Sequence, residues 1–262
     1  MNALELFSLE GRVAIVTGAG SGLGRAMAEA VADAGATAVV ADVSESGGLA
    51  TVDSIQSHGG RAEWVSTDVT DEASVRSLVD GAFDRHGRID VVFCNAGMSG
   101  FYRRIDEVDL DEWRRVLDVN LTGVMLTAKH ASRVMIPQGS GKLILTASIW
   151  GLIGSDSVPI ADYAATKGGV VNLTRELGLQ LASHGITVNA IAPGFFETNI
   201  GRDKATATET KQRLREASLA LVPTHRRAQP DEIKGTALFL ASSASDMVNG
   251  HTLVVDAGCV AR

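Results

Sequence analysis

Short β-branched segments alternate with helical segments along almost the whole chain, and this alternation limits the folds that the chain can adopt. In the first unit, the apolar run at 12–17 ends at a group of glycines, and helical periodicity follows at 23–35. Strands that alternate with helices form a mostly parallel sheet with helices on both faces. The pattern predicts a doubly wound α/β fold with strands at 12–17, 37–42, 61–69, 90–95, 142–148, 187–194 and 251–256, and helices at 23–35, 44–58, 71–87, 110–136, 160–183, 204–221 and 230–241.

Composition excludes several other classes of protein. The 262 residues are 45% hydrophobic and contain no linker or repeat, so we expect a single domain over 1–262. The formal charge is −7 and no basic block is present, which argues against nucleic-acid binding. We find neither a signal-peptide pattern nor an apolar run of membrane-spanning length, so we expect no membrane contact.

Cysteine and histidine usage gives two further expectations. The two cysteines, Cys94 and Cys259, form neither a disulfide framework nor a zinc-ligand spacing, which favours a reducing, cytoplasmic location. The six histidines are scattered, without a pair at helical spacing. We therefore expect no catalytic metal.

A glycine-rich loop at 17–24 lies between the first strand and the first helix. Its glycines, at 18, 20, 22 and 24, permit a tight turn and a close backbone approach to a ligand. Free N–H groups at the following helix N-terminus attract a pyrophosphate. A glycine cluster alone can be only a tight turn, but this position after a strand and before a helix indicates a dinucleotide-binding Rossmann fold.

Asp42 ends the second strand, 18 residues after Gly24. A carboxylate there can accept hydrogen bonds from the adenosine ribose hydroxyls, and it would repel a 2′-phosphate. No Lys or Arg lies between Gly18 and Leu23, or within several residues after Asp42, to hold such a phosphate. The pattern predicts NAD rather than NADP as the cofactor, although an acidic residue at a strand end is common in itself.

Tyr163 and Lys167 are four residues apart with only small residues between them, so they lie on one face of a helix. A nearby positive charge favours the ionised form of an acid, and Lys167 is expected to lower the pKa of Tyr163. A phenol with a lowered pKa can exchange a proton near neutral pH. Taken alone, the same spacing also fits an exposed Tyr and Lys on an ordinary helix.

Together, these features resemble the short-chain dehydrogenase/reductase family, and the resemblance runs from about Leu9 to about Gly258. It implies a hydride transfer between a carbinol carbon and NAD, in which the protein orients the cofactor and handles the proton. The matching motifs are the glycine loop at 17–24, the Asp-Val pair at 68–69, the Cys-Asn-Ala-Gly segment at 94–97, Asn120, the Thr-Ala-Ser segment at 146–148, the Tyr163–Lys167 pair and the segment at 193–198.

The resemblance also implies roles for individual residues. Tyr163 would be the general base in oxidation and the acid in reduction, and Lys167 would lower its pKa and hydrogen-bond the nicotinamide ribose. Ser148 would hold the substrate oxygen, and Asn120 would hold a water that links Lys167 to solvent. Considered singly, Ser148 could instead cap the backbone, and Asn120 could be a buried polar group satisfied locally. The residues implied to bind the cofactor are Gly18, Ser21, Gly22, Leu23, Gly24, Asp42, Val43, Asp68, Val69, Asn95, Ala96, Gly97, Thr146, Tyr163, Lys167, Pro193, Gly194, Phe196 and Thr198.

The sequence departs from the family pattern at two places. Cys94 replaces the first Asn of an Asn-Asn-Ala-Gly segment, which puts a structural hydrogen bond in doubt. The stretch between Ser148 and Tyr163 is about two residues longer than usual, and we expect the loop at 154–162 to absorb the excess. Three polar residues of this loop are interpreted as ordinary loop residues: Asp156, Ser157 and Asp162.

Several other side chains are candidates for substrate contact. Trp150, two residues after Ser148, is the tryptophan placed to touch substrate, whereas Trp64 and Trp113 are expected in the core or at an interface. The basic groups at 103–104 and 225–227 are interpreted as solvated surface. A carboxylate clamp is their alternative role, because Arg binds carboxylates bidentately.

Substrate specificity in the resembling family lies after Pro193, and we expect residues 195–225 to form a lid over a small-molecule substrate. Overall similarity favours a sugar, polyol or sugar acid. A 3-oxoacyl thioester reductase is the alternative enzyme, and Asp42 counts against it because those enzymes usually resemble NADPH users. A non-catalytic NAD sensor is the alternative of another class, and it predicts a lost Tyr or Lys. The resemblance implies a homotetramer.

Overall fold

Seven parallel strands form one sheet in the computed structural model, which describes residues 2–155, 158–198, 200, 216 and 219–261. The strands are β1 (Val13–Thr17), β2 (Thr37–Asp42), β3 (Arg61–Ser66), β4 (Val91–Cys94), β5 (Gly141–Thr146), β6 (Ile186–Pro193) and β7 (Thr252–Val255). Their order across the sheet is β3-β2-β1-β4-β5-β6-β7. The predicted fold class and all seven predicted strands are confirmed.

Helices cover both faces of this sheet. They are α1 (Gly22–Asp33), α2 (Glu45–Ser57), α3 (Glu72–His86), α4 (Leu110–Leu117), α5 (Gly123–Gln138), α6 (Ala161–Leu181) and α7 (Lys234–Ala241). Short 3₁₀ segments occur at Glu5–Phe7, Ile105–Glu107, Ile149–Gly151, Ala182–His184, Pro230–Ile233 and Ser243–Ser245. Most of the helix predicted at 204–221 and most of the lid predicted at 195–225 lie outside the described residues, although positions 216 and 219–221 are described and helical.

The helix predicted at 110–136 is interrupted by a π turn. Helical backbone continues from α4 into α5, but the segment Asp118–Thr122 between them has π geometry, with the Gly123 N–H donating to the Asp118 carbonyl. Such a turn adds one residue to the ordinary hydrogen-bond ring, and these turns occur often at functional sites. Hydrophobic periodicity does not reveal it, because both flanking segments keep ordinary α-helical spacing.

Local turn chemistry also moves the ends of two predicted strands. The third strand, predicted to reach residue 69, ends at Ser66. Asp68 Oδ1 accepts hydrogen bonds from the Thr70 N–H and hydroxyl, and this Asx turn diverts the chain. The fifth strand, predicted to reach 148, ends at Thr146, because Ser148 caps the next 3₁₀ turn by accepting from the Trp150 N–H at 3.2 Å.

Two apolar layers, one on each face of the sheet, form the core. One layer joins Val39, Val92 and Leu143 to α3, α5 and α6, and the other joins Val40 and Phe93 to α1 and α7. The strand residues alternate between the layers because successive side chains of a strand point to opposite faces. None of the described helices has both the length and the apolar composition needed to cross a bilayer.

The position of the site follows from the strand order. β1 pairs with β2 on one side and with β4 on the other, so the direction of winding reverses beside β1. In open α/β sheets, this switch point leaves a crevice at the carboxyl ends of the strands. At the opposite edge of the sheet, buried Asp90 accepts hydrogen bonds from Arg12, the Val13 N–H and Arg88 at 2.6–2.9 Å.

The Asp90 contacts have an electrostatic cause and a structural consequence. Burial raises the pKa of this carboxyl, but the hydrogen bonds from Arg88, Val13 and Arg12 outweigh burial, and the net pKa is lowered. The ionised Asp90 joins the starts of β1 and β4. This contact lies at the amino ends of the two strands, whereas the crevice lies at their carboxyl ends.

Candidate active site

The glycine loop brings the backbone close to its neighbours. Gly18 and Gly22 have φ values of 65° and 56°, a region that glycine enters without strain. A Cβ on Gly18 would come within 2.8 Å of the Ala96 Cα, and one on Gly20 would come within 2.8 Å of the Asp42 carboxylate. Side chains at these glycines would therefore displace the segment after β4 or Asp42.

Asp42 fixes the same loop from the second strand. Its Oδ2 accepts from the Gly20 N–H and its Oδ1 from the Ser44 N–H, both at 2.8 Å. A carboxylate has about four lone-pair positions, so both oxygens can still accept hydrogen bonds from ribose hydroxyls. Asp42 is half-buried and faces the cleft beside Val43.

Asn95 ties three strands together at their carboxyl ends. Its Nδ2 donates to the Thr17 carbonyl at 2.8 Å, and its Oδ1 accepts from the Thr146 hydroxyl at 3.1 Å. Its N–H also donates to the Thr17 hydroxyl at 2.9 Å. The preceding Cys94 packs in the apolar layer, where burial raises the pKa of its thiol to about 12.

Asn120 lies in the π turn and is fully buried. Its Oδ1 accepts from the Met98 N–H at 2.8 Å, and its Nδ2 donates to the Met98 carbonyl at 2.9 Å. A Cβ on Gly97 would lie 3.3 Å from the Asn120 Oδ1 and 3.7 Å from the Lys167 Nζ. Asn120 therefore fixes the segment after β4 and stands close to Lys167.

Tyr163 lies in the first turn of α6 and Lys167 in the second, next to the end of β5. The Lys167 Nζ donates to the Thr146 carbonyl at 2.7 Å and lies 5.7 Å from the centre of the Tyr163 ring. Ser148 hydrogen-bonds Tyr163 and also caps the backbone through Trp150. The hydroxyl of Ser148 is thus both a backbone cap and a neighbour of the phenol.

The prediction that the Tyr163 pKa is lowered is wrong for the protein without its cofactor. Burial raises the pKa of Tyr163 to about 12, the hydrogen bond with Ser148 opposes this rise, and the nearby Tyr102 adds to it. Burial also lowers the pKa of Lys167 to about 8. The cost of burying the charged form is the largest cause of both shifts.

The predicted site residues surround one cleft of about 870 Å³. Ser148 and all the residues that the resemblance implies for the cofactor line this cleft, and Asn120 stands behind it against Gly97. Trp150 also lines it, in an edge-to-face contact with Phe195 at 6.0 Å between ring centres. The structure brings these residues together, and their individual roles stay predictions.

Asp162 is not an ordinary loop residue, and this expectation is corrected. It lies in the first turn of α6 and is only 6% exposed. Its Oδ1 accepts from the Tyr163 N–H at 2.7 Å and its Oδ2 from the Phe101 N–H at 3.1 Å. The other two polar residues of that loop, Asp156 and Ser157, lie outside the described residues.

Tyr102 also lines the cleft and was not among the predicted site residues. Its backbone has a φ of 53°, which is uncommon for a bulky residue. The sequence before it, Ser-Gly-Phe, gives no motif that marks this conformation. The only available signal was the presence of a tyrosine a few residues after the Asn-Ala-Gly segment.

Comparison with known proteins decides the family. A family model described as enoyl-(acyl carrier protein) reductase matches residues 18–260. A cis-4-hydroxycyclohexanecarboxylate dehydrogenase from Sinomonas cyclohexanicum is 41% identical over 250 residues, which cover 95% of this chain and 97% of that protein. The chain belongs to the short-chain dehydrogenase/reductase family. It is an oxidoreductase that acts on CH–OH groups, which argues against a non-catalytic sensor.

Solved structures of this family are closely similar. A short-chain type dehydrogenase/reductase from Mycobacterium marinum has a TM-score of 0.94 at 35% identity, with both chains covered completely. A gluconate 5-dehydrogenase from Burkholderia cenocepacia, in complex with NADP and tartrate, has a TM-score of 0.90 at 37% identity, again over 100% of both chains. The fold of this short-chain dehydrogenase/reductase is therefore that of its relatives.

The cleft fits the nicotinamide cofactor that the family uses. Ser21, Gly22 and Leu23 start α1, and their free N–H groups offer an anion site at the helix N-terminus. Among the described residues, no group of three or more His, Cys, Asp or Glu side chains is arranged to hold a metal ion.

The buried Lys167 predicts a pH dependence of stability. The folded state loses the lysine proton near pH 8, whereas an unfolded chain keeps it until about pH 10.5. Between these values the unfolded state binds more protons, so the contribution of Lys167 to the free energy of unfolding rises with pH by up to about 1.4 kcal/mol per unit. Lys167→Met, which has no charge, should lack this contribution.

Urea-induced unfolding of both proteins between pH 8 and pH 10 tests the difference. As the pH rises, the free energy of unfolding of the wild type should increase relative to that of Lys167→Met. The exposed Lys129→Met serves as the control and should follow the wild type. A constant difference between wild type and Lys167→Met would contradict the lowered pKa.

Proposed function

We propose that this chain is an NAD-dependent dehydrogenase that interconverts a secondary alcohol and a ketone, with Tyr163 as the acid/base. The proposal depends on one observation: the hydrogen-bonded pair of Tyr163 and Ser148 lies beside Lys167 in the same cleft as the glycine loop and Asp42. A cofactor held by the loop would reach an alcohol held by the two hydroxyls. When bound, NAD supplies the hydride acceptor and a positively charged ring.

In the proposed reaction, Ser148 holds the substrate oxygen and Tyr163 exchanges its proton. In ketone reduction, Tyr163 donates a proton to the oxygen, and its pKa of about 12 keeps that proton in place at neutral pH. In alcohol oxidation, Tyr163 must first ionise. The positive charges of Lys167 and the bound nicotinamide would favour that ionisation.

Asn120 and Lys167 are proposed to return the proton to solvent. The side-chain amide of Asn120 is already hydrogen-bonded to Met98, at 2.8 and 2.9 Å. A water between Asn120 and Lys167 would therefore use the second lone pair of Oδ1 or the main-chain carbonyl. Gly97 supports this role, because a side chain there would enter the same space.

The proposed substrate is the secondary alcohol of a sugar, polyol or sugar acid. One relative, a gluconate 5-dehydrogenase, supports this class by its name. Another, a dehydrogenase of a hydroxylated cyclohexanecarboxylate, supports a secondary alcohol on a carboxylic acid. The description of the matching family model keeps acyl-thioester reduction as the second candidate. A panel of sugars, polyols, hydroxy acids and 3-hydroxyacyl thioesters, followed by the absorbance of the reduced nicotinamide, separates the two.

Replacement of Tyr163 by Phe tests the mechanism. Loss of one hydroxyl should lower kcat by about 100-fold to 10,000-fold, the range typical of general acid–base catalysis. The affinity for NAD, measured by calorimetry, should stay close to that of the wild type because the ring is retained. Turnover at the wild-type rate would remove Tyr163 as the acid/base.

Asp42 is proposed to set the preference for NAD, although the gluconate 5-dehydrogenase structure holds NADP. Asp42→Asn keeps an oxygen that can accept from the Gly20 N–H and removes the negative charge. The ratio of kcat/KM for NAD to that for NADP should fall at least about tenfold, which corresponds to about 1.4 kcal/mol. Damage to the loop would weaken the binding of both cofactors alike and leave the ratio unchanged. An unchanged ratio would therefore contradict a role of Asp42 in cofactor preference.

A homotetramer is proposed as the assembly. Three apolar side chains on α5 and α6 are exposed, by 40% for Met125, 39% for Ile136 and 79% for Leu179, and association would cover them. Light scattering should give a mass about four times the chain mass of 27.4 kDa. A mass of one chain at micromolar concentration would contradict this. The cytoplasmic location stays a prediction, supported by the free thiols of Cys94 and Cys259.

A further inference from the structure

The chain has two tyrosines, and both line the active-site cleft. Tyr102 is close enough to affect Tyr163 electrostatically. Its left-handed backbone costs free energy for a bulky residue, so its surroundings must hold it in place. Residues held in such conformations are concentrated at functional sites.

Asp162 holds the segment that precedes Tyr102. Its Oδ2 accepts from the Phe101 N–H, and a Cβ on Gly100 would lie 2.9 Å from its Cγ. The other oxygen accepts from the Tyr163 N–H. One buried carboxylate therefore connects the backbone next to Tyr102 with the backbone of Tyr163.

The phenol of Tyr102 is also constrained at its hydroxyl. Burial raises the pKa of Tyr102 and Asp162 adds to the rise, while a hydrogen bond with Ser99 and the positive charge of Arg227 oppose it. A tyrosine hydroxyl can accept one hydrogen bond and donate another. If it accepts from Ser99, Tyr102 retains a proton to donate to a ligand in the cleft.

Arg227 reaches the cleft from a different part of the chain. The following residue, Ala228, donates its N–H to the Phe195 carbonyl at 2.9 Å and accepts from the Glu197 N–H at 2.8 Å. These two bonds fix the backbone of Arg227 beside Phe195, and both residues line the cleft. A guanidinium has five N–H donors, so it can serve a ligand in addition to a protein partner.

The other arginines considered as clamps are bound to carboxylates of the protein. Arg103 makes two hydrogen bonds to Glu112, at 2.7 and 3.0 Å, and Arg104 makes two to Asp106. Arg226, the neighbour of Arg227, makes two at 2.7 Å to Glu232. None of these three lines the cleft, whereas Arg227 does.

The walls between the polar groups are apolar. Trp150 and Phe195 meet edge to face, and the apolar residues Val158, Ile160 and Ile200 also line the cleft. An uncharged carbon frame fits these walls, and a negatively charged end fits an arginine and a phenol. Arginine and carboxylate are matched in charge and in planar geometry.

We propose that Tyr102 and Arg227 form a carboxylate-binding subsite, and that the substrate is a hydroxy acid whose carbinol lies at Tyr163. This assignment rests on the proposed function, because it uses Tyr163 as the reacting centre. It narrows the substrate class, since neutral sugars and polyols lack the group that the subsite recognises. It also gives the strained backbone of Tyr102 a role.

Binding of two matched probes to the NADH-bound protein tests the subsite. Cyclohexanecarboxylate and cyclohexanecarboxamide have similar size and differ in charge, and neither has a hydroxyl group to react. Calorimetry should show saturable binding of the carboxylate to the wild type and at least about tenfold weaker binding of the amide. Arg227→Gln should weaken carboxylate binding roughly tenfold to a hundredfold, and Tyr102→Phe should weaken it several-fold.

Arg104→Gln is the matched control, because it makes the same chemical change in an exposed ion pair that does not line the cleft. It should bind both probes like the wild type. Failure of the carboxylate to saturate the wild type in the millimolar range would overturn the subsite. Equal binding of acid and amide, or an unchanged preference in Arg227→Gln, would overturn it as well.

Turnover of 4-hydroxycyclohexanecarboxylate and its carboxamide separates this inference from the proposed function. In Arg227→Gln, the KM for the acid should rise more than kcat falls, because the subsite is remote from the proton transfer. Equal kcat/KM for acid and amide in the wild type would overturn the subsite and leave the alcohol dehydrogenase intact. Activity in Tyr163→Phe would overturn the mechanism and leave the charge preference intact.

Discussion

The site depends on the hydrogen bonds of one amide side chain. Asn95 holds the carboxyl ends of β1 and β5 to that of β4, through the Thr17 carbonyl and the Thr146 hydroxyl. The same Thr146 offers its carbonyl to Lys167. Because parallel strands share no tight turn, side chains must fix their ends relative to one another. Asn95 therefore helps to fix the relative position of two parts of the site. One is the glycine loop, which begins directly after Thr17, and the other is α6, which carries Tyr163 and Lys167.

Regular elements could be read from the sequence because their signals are local. The alternation of strands and helices, the glycines between β1 and α1, and the spacing of Tyr163 and Lys167 all lie within short windows. The parts that were missed are non-local. Asp162 is buried because residues about sixty positions earlier pack on it, and the Tyr163 pKa is raised because distant elements exclude water. Sequence spacing carries no information about either.

The chemistry and the stability of this chain make opposite demands on α6. Lys167 is 2% exposed, and its Nζ donates to the neutral Thr146 carbonyl, so its charge is poorly compensated in the folded protein. Asp90, at the other edge of the sheet, is also buried, but two arginines balance it. The two ends of the strands therefore differ: one contains charges that are paired in the folded protein, and the other contains groups whose charge would change in the proposed reaction.

The π turn has a consequence for the orientation of the two helices that it joins. One extra residue in an α-helix rotates everything after it by about 100°, since a turn contains 3.6 residues. The side chains of α5 are therefore offset in angle about the helix from those of α4. With this offset, Arg114 and Asp118 border the cleft, while Val124, Ala128 and Met135 face the sheet. In an uninterrupted α-helix, the angular positions of these two sets of residues would be fixed relative to each other. The π turn changes that relation, so one set borders the cleft and the other packs on the sheet.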